Sequence, residues 1–425
     1  MDTAFPPPGF VPVPSAIEGI EVFQPAPPDE EQLEETVDFK CPQCGATTAY
    51  SVASGGLTCA HCGYFEAPNK PLVGQNAQEL EFTVQSLERS AQGWGEVRLD
   101  LACQNCGAQT SIPVDNISDT CPFCGSNRVV HHQAAQDILR PWCLIPFKIE
   151  AEQCNRIAAA WLTNSWMVPA SLKNRAGIHS FYGIYLPFWT FDALTKADWK
   201  AEVGHIVTER YFENGEWKTR VVTEWRWESG HAEETFDDLI IRGTDRIGSR
   251  LLTEISNFNL TELAPYEPKY LAGLGAKAYD IPLEKSWEMA RGEMRERTRQ
   301  ACVQQASTSQ VRNFSMKLDF DDEQWRYILL PVYLTSYIHQ DQKYQVVVNG
   351  QNGIISGQQP ADWNKIWLVI GLLLTPGLLL GLIGLITIPV AGAGIGIGAF
   401  GFVLLVLGLV LSAVIYQKAQ ALDDL

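Results

Sequence analysis

Hydrophobic and polar positions in the middle of the chain, residues 139–360, change their spacing several times, and each spacing predicts a different element. Apolar residues recur every three or four positions between Ile149 and Ser165, which predicts a helix. The apolar and aromatic run Gly183–Leu194 predicts a strand. Strict alternation further on predicts a strand with two different faces, Val221, Thr223, Trp225 and Trp227 on one and Val222, Glu224, Arg226 and Glu228 on the other.

Turn signals and further periodic segments complete this region. Asn214-Gly215 is typical of a two-residue hairpin turn. Helices are predicted around Ser249–Phe258 and Pro282–Gln304, and strands over Arg326–Gln340 and Tyr344–Ser356. These elements predict an α+β domain with a meandering antiparallel sheet.

Two of the strand segments resemble each other. Ile184–Ala193 and Ile328–Tyr337 share a pattern of aliphatic, proline and aromatic residues, which suggests an internal duplication. Each contains a proline, Pro187 or Pro331. Because proline cannot donate to a strand ladder, both positions are expected at sheet edges or bulges.

The C-terminal pattern is different. No charged residue occurs in the 52 positions between Lys365 and Lys418, enough for two helices of the roughly 20 residues that span a membrane. We expect spans at 366–388 and 396–417, joined by a Pro/Gly-rich turn. Lys365 and Lys418, with Trp363, Trp367 and Tyr416, mark the shared end. Gly377 and Gly381 form a small-xxx-small pair, which favours close packing inside the hairpin over self-association.

The N-terminal segment, residues 1–37, is rich in proline and carboxylates. Eight of the 24 prolines lie between Pro6 and Pro28, and nine Asp or Glu residues precede Lys40, the first basic residue. Such a segment predicts a disordered tail, with a Pro-rich docking peptide as the alternative. It has neither the basic start nor the apolar run of an export signal.

Eight of the eleven cysteines carry the strongest signal in the chain. They form two sets with the spacing C-x2-C-x14-C-x2-C, and each cysteine lies 62 residues from its counterpart. The last cysteine of every pair precedes a glycine, which permits a positive φ. Four thiolates from two such turns complete a tetrahedral zinc site. We predict two structural zinc ions, held by Cys41, Cys44, Cys59 and Cys62 and by Cys103, Cys106, Cys121 and Cys124.

Disulfides and a redox pair are the other interpretations of these cysteines. Disulfides need an oxidising compartment, and the chain lacks the export signal that would take it to one. A redox motif needs one Cys-x-x-Cys pair rather than four. The remaining cysteines, Cys143, Cys154 and Cys302, have no partner spacing and are expected in the core.

Zinc ribbons often bind nucleic acid, but the charge of this chain does not favour that function. The net charge is −17, and residues 1–140 contain 18 acidic and 6 basic residues. Phosphate binding depends on Lys and Arg. The ribbons are therefore expected to contact proteins. The composition likewise excludes a small disulfide scaffold and a collagen-like chain.

Motifs for common enzyme chemistry are absent. The sequence contains no G-x-x-x-x-G-K-[ST] phosphate loop, no H-E-x-x-H and no G-x-S-x-G. Two carboxylate pairs, Asp237-Asp238 and Asp321-Asp322, are expected on the solvated surface. No catalytic residue is predicted.

The chain resembles bacterial double zinc-ribbon proteins of the TFIIB type, many of which carry a name linking them to the primosomal helicase. The resemblance covers roughly residues 38–360 and rests on the four Cys-x-x-Cys-Gly turns and on the segments 140–148, 183–193, 235–241, 265–274 and 330–353. It implies a role with membrane-stress systems, namely SPFH/band-7 scaffolds and phage-shock-type proteins. A helicase needs a phosphate-binding loop for ATP, which the sequence lacks, so the helicase name does not fit.

Together these patterns predict a non-enzymatic adaptor in the bacterial inner membrane, with both termini cytoplasmic and cytoplasmic proteins as partners. The expected segments are a tail (1–37), ribbon 1 (38–68), a linker (69–98), ribbon 2 (99–130), the α+β domain (139–360), the hairpin (366–417) and a short tail (418–425). Two alternatives stay open: a nucleic-acid- or ribosome-associated zinc-ribbon protein, and a membrane enzyme of unrecognised class.

Overall fold

The computed structural model describes residues 10–13, 22–25, 39–68, 73–74, 80–81, 94, 98–113, 121–123, 126, 128–133, 138–174, 181–340, 342–387 and 394–423. Most of the predicted linker and Cys124 lie outside these residues. Of the predicted N-terminal tail, the structure describes two short strands that pair with each other in antiparallel register.

The described residues contain seventeen strands and six α-helices. The strands are β1 Phe10–Val13, β2 Val22–Pro25, β3 Ala49–Ser51, β4 Gly56–Thr58, β5 Phe65–Glu66, β6 Leu80–Glu81, β7 Arg98–Cys103, β8 Gln109–Pro113, β9 Val129–Gln133, β10 Cys143–Leu144, β11 Tyr182–Glu213, β12 Glu216–Arg242, β13 Ala264–Pro265, β14 Gly275–Ala276, β15 Val311–His339, β16 Gln342–Asn349 and β17 Ile355–Gly357. The helices are α1 Ala151–Asn164, α2 Ala170–Asn174, α3 Ser249–Ile255, α4 Leu283–Gln305, α5 Trp363–Thr387 and α6 Gly394–Asp423.

Three very long strands dominate the fold. β11 lies between β12 and β15 and pairs with both in antiparallel register. β11 and β12 join at the predicted Asn214-Gly215 turn, where both residues have a positive φ, as a type I′ turn requires. The alternation of side chains predicted for residues 221–228 follows from this pairing.

The large sheet is mixed rather than purely antiparallel. β10 pairs with β15 in parallel register, and so does β14 with β11. β7, β8 and β9 of the second cysteine module join the same sheet, because β8 pairs with β14. β3, β4 and β5 of the first module form a separate three-stranded sheet.

Helices pack on both faces of the sheet, and each face has its own apolar cluster. On one face, Trp189, Phe191 and Trp325 pack with Trp287 of α4. On the other, Ile184, Leu186, Phe188 and Ile328 pack with Leu251, Leu252 and Ile255 of α3. The predicted helices are confirmed to within a few residues, since α1, α3 and α4 fall inside or beside their predicted ranges.

The prediction that the two strand prolines lie at sheet edges or bulges is wrong. Pro187 and Pro331 lie in the central strands β11 and β15. Pro187 comes one residue before the point where β11 pairs with the end of β12, and Pro331 comes one residue before β15 begins to pair with β16. A proline is tolerated there because the neighbouring ladder on one side is interrupted.

The apolar C-terminal segment forms two helices, each long and apolar enough to cross a membrane. α5 and α6 pack against each other as a hairpin. Tyr416 lies 5.6 Å from Trp363 and 6.2 Å from Trp367 between ring centroids, so the expected aromatic group marks the shared end. A Cβ at Gly377 would lie 2.6 Å from the backbone nitrogen of Leu405, which confirms the close packing expected there.

The hairpin is fixed to the α+β unit at that end. Met167 packs against Ile366, Ile370 and Ala419. Asp362 N donates to Met167 O over 2.7 Å. Its carboxylate also pairs with Lys365 over 2.9 Å. The two contacts of Met167 join the hairpin directly to the segment that follows α1.

Candidate metal centres

The first cysteine set converges on one point. Each of Cys41, Cys44, Cys59 and Cys62 offers a sulfur, and these four atoms lie within 4.8 Å of one another. The Sγ atoms of Cys41 and Cys62 are 3.4 Å apart, and those of Cys44 and Cys59 are 3.6 Å apart. Cys41 and Cys59 are buried, whereas Cys44 and Cys62 are exposed.

The second set repeats this arrangement over its described members. Cys103, Cys106 and Cys121 form a cluster with the same 4.8 Å limit. The Sγ atoms of Cys106 and Cys121 are 3.7 Å apart. Cys124, the predicted fourth ligand, lies outside the described residues.

Backbone hydrogen bonds show why each Cys-x-x-Cys-Gly segment forms the same turn. In the three turns that begin at Cys41, Cys59 and Cys103, the first cysteine donates its N–H to the carbonyl five residues later, over 2.7–2.9 Å. The glycine N–H donates to the carbonyl oxygen of the same cysteine, over 2.8–2.9 Å. The turn needs a positive φ at the glycine, and Gly45, Gly63 and Gly107 have φ values of 73°, 75° and 68°.

These turns aim backbone amides at sulfur. The N–H groups of Cys62 and His61 donate to the sulfur of Cys59 and lower the pKa of that thiol to about 6. At Cys62 the N–H of Tyr64 acts in the same direction, but the neighbouring sulfur of Cys41 and burial raise the pKa of that thiol to about 12. A lower pKa favours the thiolate, which is the form that binds a metal.

The donor set and its spacing fit a tetrahedral metal ion. Four thiolates at 2.3 Å from one Zn²⁺ have sulfur–sulfur edges of roughly 3.8 Å. The observed separations are close to this value and well beyond the roughly 2 Å of a disulfide bond. Both clusters are therefore compatible with structural metal binding.

Ribbon 1 is attached to the α+β unit through the short helical turn Pro268–Leu271 and the residue after it. Tyr50 N donates to Ala272 O over 2.9 Å, and the ring of Tyr50 lies 5.4 Å from that of Tyr270. Burial raises the pKa of Tyr50 to about 12. Lys269 and Glu66 form an ion pair at the same contact.

Ribbon 2 is held more extensively. Arg98, almost fully buried, donates to Ser111 Oγ over 3.1 Å, to Ser111 O over 2.9 Å and to Leu274 O over 2.8 Å. Arg246 donates to Cys106 O over 3.2 Å. Gln345 of β16 donates over 2.7 Å to the carbonyl oxygen of Phe123, which lies between Cys121 and Cys124. Ribbon 2 is therefore part of the sheet unit.

The other three cysteines occupy the core, as expected. Cys143, Cys154 and Cys302 are all buried. Burial raises the pKa of Cys154 to about 12, so this thiol stays protonated near neutral pH. No metal-ligand cluster that the described residues form includes any of the three.

The structure also contains a carboxylate cluster that the sequence interpretation missed. The prediction that Asp237 and Asp238 are both solvated is wrong for Asp238, which is 8% exposed and pairs with the buried Arg326. A β-bulge places Asp237 and Asp238 opposite Asp192 of β11, and carboxylate oxygens of the three residues lie within 4.8 Å. Asp321 and Asp322 are exposed, as expected.

Asp238 is perturbed by its surroundings. Burial raises its pKa to about 6, and the carboxylates of Asp192 and Asp237 act in the same direction against the opposing effect of Arg326. Asp237 and Asp238 line a cavity of about 720 Å³ between β12, α3 and α4. A signal was present in the sequence: Asp is one of the few residues that tolerate the positive φ of a bulge, 57° at Asp238.

Comparison with known proteins gives little functional information. No family model matches the chain, and no solved structure matches it. A similar curated protein is the uncharacterised protein YdjG of Bacillus subtilis (strain 168), 23% identical over 337 residues, which cover 78% of this chain and 92% of the relative. Because that relative is uncharacterised, the similarity assigns no activity to this chain.

Proposed function

We propose that the chain is a non-enzymatic, membrane-anchored adaptor that presents two zinc ribbons and the α+β unit to cytoplasmic protein partners. The observation that supports this most strongly is the attachment of three features to one unit. Both cysteine modules and the apolar helical hairpin contact the same sheet-and-helix body through named hydrogen bonds and packed side chains. Such a body can hold partner-binding modules at a fixed position above a membrane.

The anchor is the hairpin. Large apolar side chains on both helices are exposed, including Leu372 at 70%, Leu385 at 71% and Phe402 at 65%. A helix in a soluble core buries such residues, whereas lipid covers them in a membrane. Lys365 and Lys418 flank the shared end, and the positive-inside rule favours the cytoplasmic side for it. We assign the protein to the inner membrane, with both termini cytoplasmic.

The metal is assigned as zinc from the chemistry of the donors. Four thiolates in tetrahedral arrangement favour Zn²⁺, and a closed set of four ligands leaves no open position for catalysis. The role of the two ions is structural: they hold short strands that have little apolar core of their own.

The partners are proposed to be proteins. The resemblance to double zinc-ribbon proteins implies SPFH/band-7 or phage-shock-type partners. Nucleic acid is not favoured, because residues 1–140 carry a net charge of −12, from 18 acidic and 6 basic residues.

The test of this proposal is a pull-down of the full-length protein in mild detergent, split into nuclease-treated and untreated halves, with mass spectrometry of the bound proteins. Recovery of SPFH or phage-shock-type proteins in both halves is expected. Recovery of ribosomal or replication proteins in the untreated half alone would contradict the adaptor function and support the nucleic-acid alternative.

The anchor is tested separately by deleting residues 366–417. The deletion variant is expected in the soluble fraction, and the full-length chain in the membrane fraction after a high-salt wash. Zinc content measured on the soluble variant shows whether the rest of the chain has folded. A folded variant that stays on membranes would contradict anchoring by the hairpin.

A membrane enzyme is the second candidate, and one observation favours it. Asp238, with its raised pKa, lines a sizeable cavity together with Asp237, and active sites often combine these features. Asp237→Asn separates the two functions, because Asp237 is exposed and the ion pair of Asp238 with Arg326 stays intact. An adaptor keeps its partners and its cellular function in this variant, whereas an enzyme that uses the cluster keeps its fold and loses its function.

A further inference from the structure

The outer part of the β11–β12 hairpin extends beyond the rest of the sheet. β15 pairs with β11 only as far as Val203, and Gln310, in the segment between α4 and β15, accepts a hydrogen bond from Gly204 N. From Gly204 and Trp225 to the turn at Asn214 the two strands pair only with each other among the described residues. We call residues 204–225 the arm, and at 3.4 Å per residue it is about 30 Å long.

One face of the arm is mostly apolar and exposed, and its one charged residue is Arg210, which lies opposite Thr219. Cross-strand pairs place on it Ile206 opposite Thr223, Val221 opposite Thr208, and Phe212 opposite Trp217. The exposed fractions are 67% for Ile206, 70% for Val221, 61% for Phe212 and 72% for Trp217. The rings of Phe212 and Trp217 lie 5.3 Å apart in an edge-to-face arrangement, so the tip of the arm presents an ordered aromatic pair.

The opposite face of the arm carries the half-buried pair Val207 and Val222 near its base, and toward the tip it is charged, with its charges paired. Arg220 binds Glu209 over 2.8 Å and lies over the ring of Tyr211. Lys218 pairs with Glu213 over 2.9 Å. This face is suited to solvent.

The polarity of the two faces reverses where the arm begins. Closer to the sheet, Ala197, Trp199 and Ala201 are buried with Cys302 of α4, while Asp198 and Lys200 on the other face are exposed. Along the arm, the face that continues from Asp198 and Lys200 is the apolar one. Folding of the monomer does not explain this reversal, because the described residues leave the apolar face of the arm exposed.

The size of the face fits one half of a symmetric dimer. The exposed side chains of Ile206, Phe212, Trp217 and Val221, with Trp227 just below the arm at 55% exposure, present about 600 Å². This is comparable in size with the largest apolar patch of a typical monomer, although Arg210 separates the pair at the tip from the other apolar side chains. With Arg210 and the threonines of this face included, the area approaches the roughly 800 Å² per partner of a stable interface.

Anchoring restricts how a second copy can meet this face. Two copies held in one membrane are related by a two-fold axis along the membrane normal, so equivalent residues meet at equal height. This step rests on the proposed membrane anchoring. We propose that the apolar face of the arm packs against the same face of a second copy, with the Phe212–Trp217 pair of each chain in contact with that of the other.

The first test is the mass of the full-length protein in mild detergent, by light scattering corrected for bound detergent. The wild type is expected at twice the chain mass of 47.2 kDa. The double variant Trp217→Lys/Val221→Lys is expected at the mass of one chain, because it places two more positive charges beside Arg210 in this face. Both residues are more than two-thirds exposed, so the substitutions leave the core intact.

The second test is cross-linking in native membranes, which does not depend on detergent. Thr219→Cys places a thiol on the apolar face, and Lys218→Cys places one on the charged face at the neighbouring position. A short bismaleimide is expected to give roughly fivefold more covalent dimer with Thr219→Cys, because facing sheets lie about 10 Å apart. The wild type measures the background from its own cysteines.

Two results would overturn the proposal. One is a monomeric wild type, which would leave the face for lipid or a foreign protein. The other is equal cross-linking from both faces of the arm. Neither result bears on the adaptor function, which the pull-down and the fractionation test by other measurements.

Discussion

Replacing a single exposed ligand of ribbon 1 tests the metal assignment with little disturbance of packing. Cys44 is the best position, because its side chain is exposed while its sulfur lies 3.6 Å from that of Cys59. Cys44→Ser removes one thiolate and creates no core cavity. The variant therefore isolates metal binding from folding of the α+β unit.

The size of the effect follows from the number of ligands. Structural zinc contributes about 10–16 kcal/mol to small zinc modules at neutral pH. Shared equally over four thiolates, one ligand accounts for about 3 kcal/mol, which corresponds to a loss of affinity on the order of a hundredfold. We expect two zinc ions per wild-type chain and one in Cys44→Ser after dialysis against a chelator of intermediate affinity.

The measurement is zinc content by elemental analysis, with chelator competition to give the affinity. Cys154→Ser is the control, since Cys154 is a buried cysteine outside both clusters and this variant should keep two ions. The zinc assignment is refuted if Cys44→Ser keeps two ions at wild-type affinity, or if Cys154→Ser loses one.

Three further outcomes are expected. Gly377→Leu should lower the thermal midpoint in detergent, because overpacking against the backbone of Leu405 costs about 1–3 kcal/mol, whereas Gly371→Leu, at a position with open space, should not. Burial raises the pKa of Asp238 to about 6, so the folded chain keeps a proton there that the unfolded chain has released. The free energy of unfolding should therefore fall by on the order of 1 kcal/mol as pH rises from about 5 to 8. Thermal melts of the zinc-saturated protein measure this pH dependence, and Asp238→Asn should lack it. Arg98→Ala removes at least three hydrogen bonds and should cost about 3 kcal/mol, seen as faster amide exchange over residues 98–113 with both zinc ions retained.

The features that the sequence predicted well are those set by local chemistry. A Cys-x-x-Cys-Gly segment forms its turn through hydrogen bonds among five or six consecutive residues, so its geometry does not depend on distant contacts. The apolar run that contains α5 and α6 is similar, because its length and lack of charge alone meet the requirement for crossing a membrane. The Asn214-Gly215 turn belongs to the same class.

The features that the sequence did not predict depend on pairing between distant residues. The carboxylate cluster exists because a bulge in β12 sets Asp237 and Asp238 opposite Asp192, more than forty residues earlier in the chain. Period-two alternation assumes a regular strand, and one extra residue in a strand breaks that assumption. The positions of Pro187 and Pro331 likewise depend on where neighbouring strands end.

The two cysteine modules differ in how strongly they are coupled to the rest of the chain, although their cysteines have the same spacing. Ribbon 1 keeps its three strands in a sheet of its own and contacts the α+β unit mainly around Tyr50 and Lys269. Ribbon 2 shares the large sheet and is held by the buried side chain of Arg98. Ribbon 2 meets the core at the pair Ser111–Ala276 of β8 and β14 and at the buried side chain of Arg98, so loss of order there is expected to expose core residues, whereas loss of order in ribbon 1 can stay local. Ribbon 1 is therefore the module whose conformation can change with the least effect on the large sheet, on α5 and α6 and on the arm.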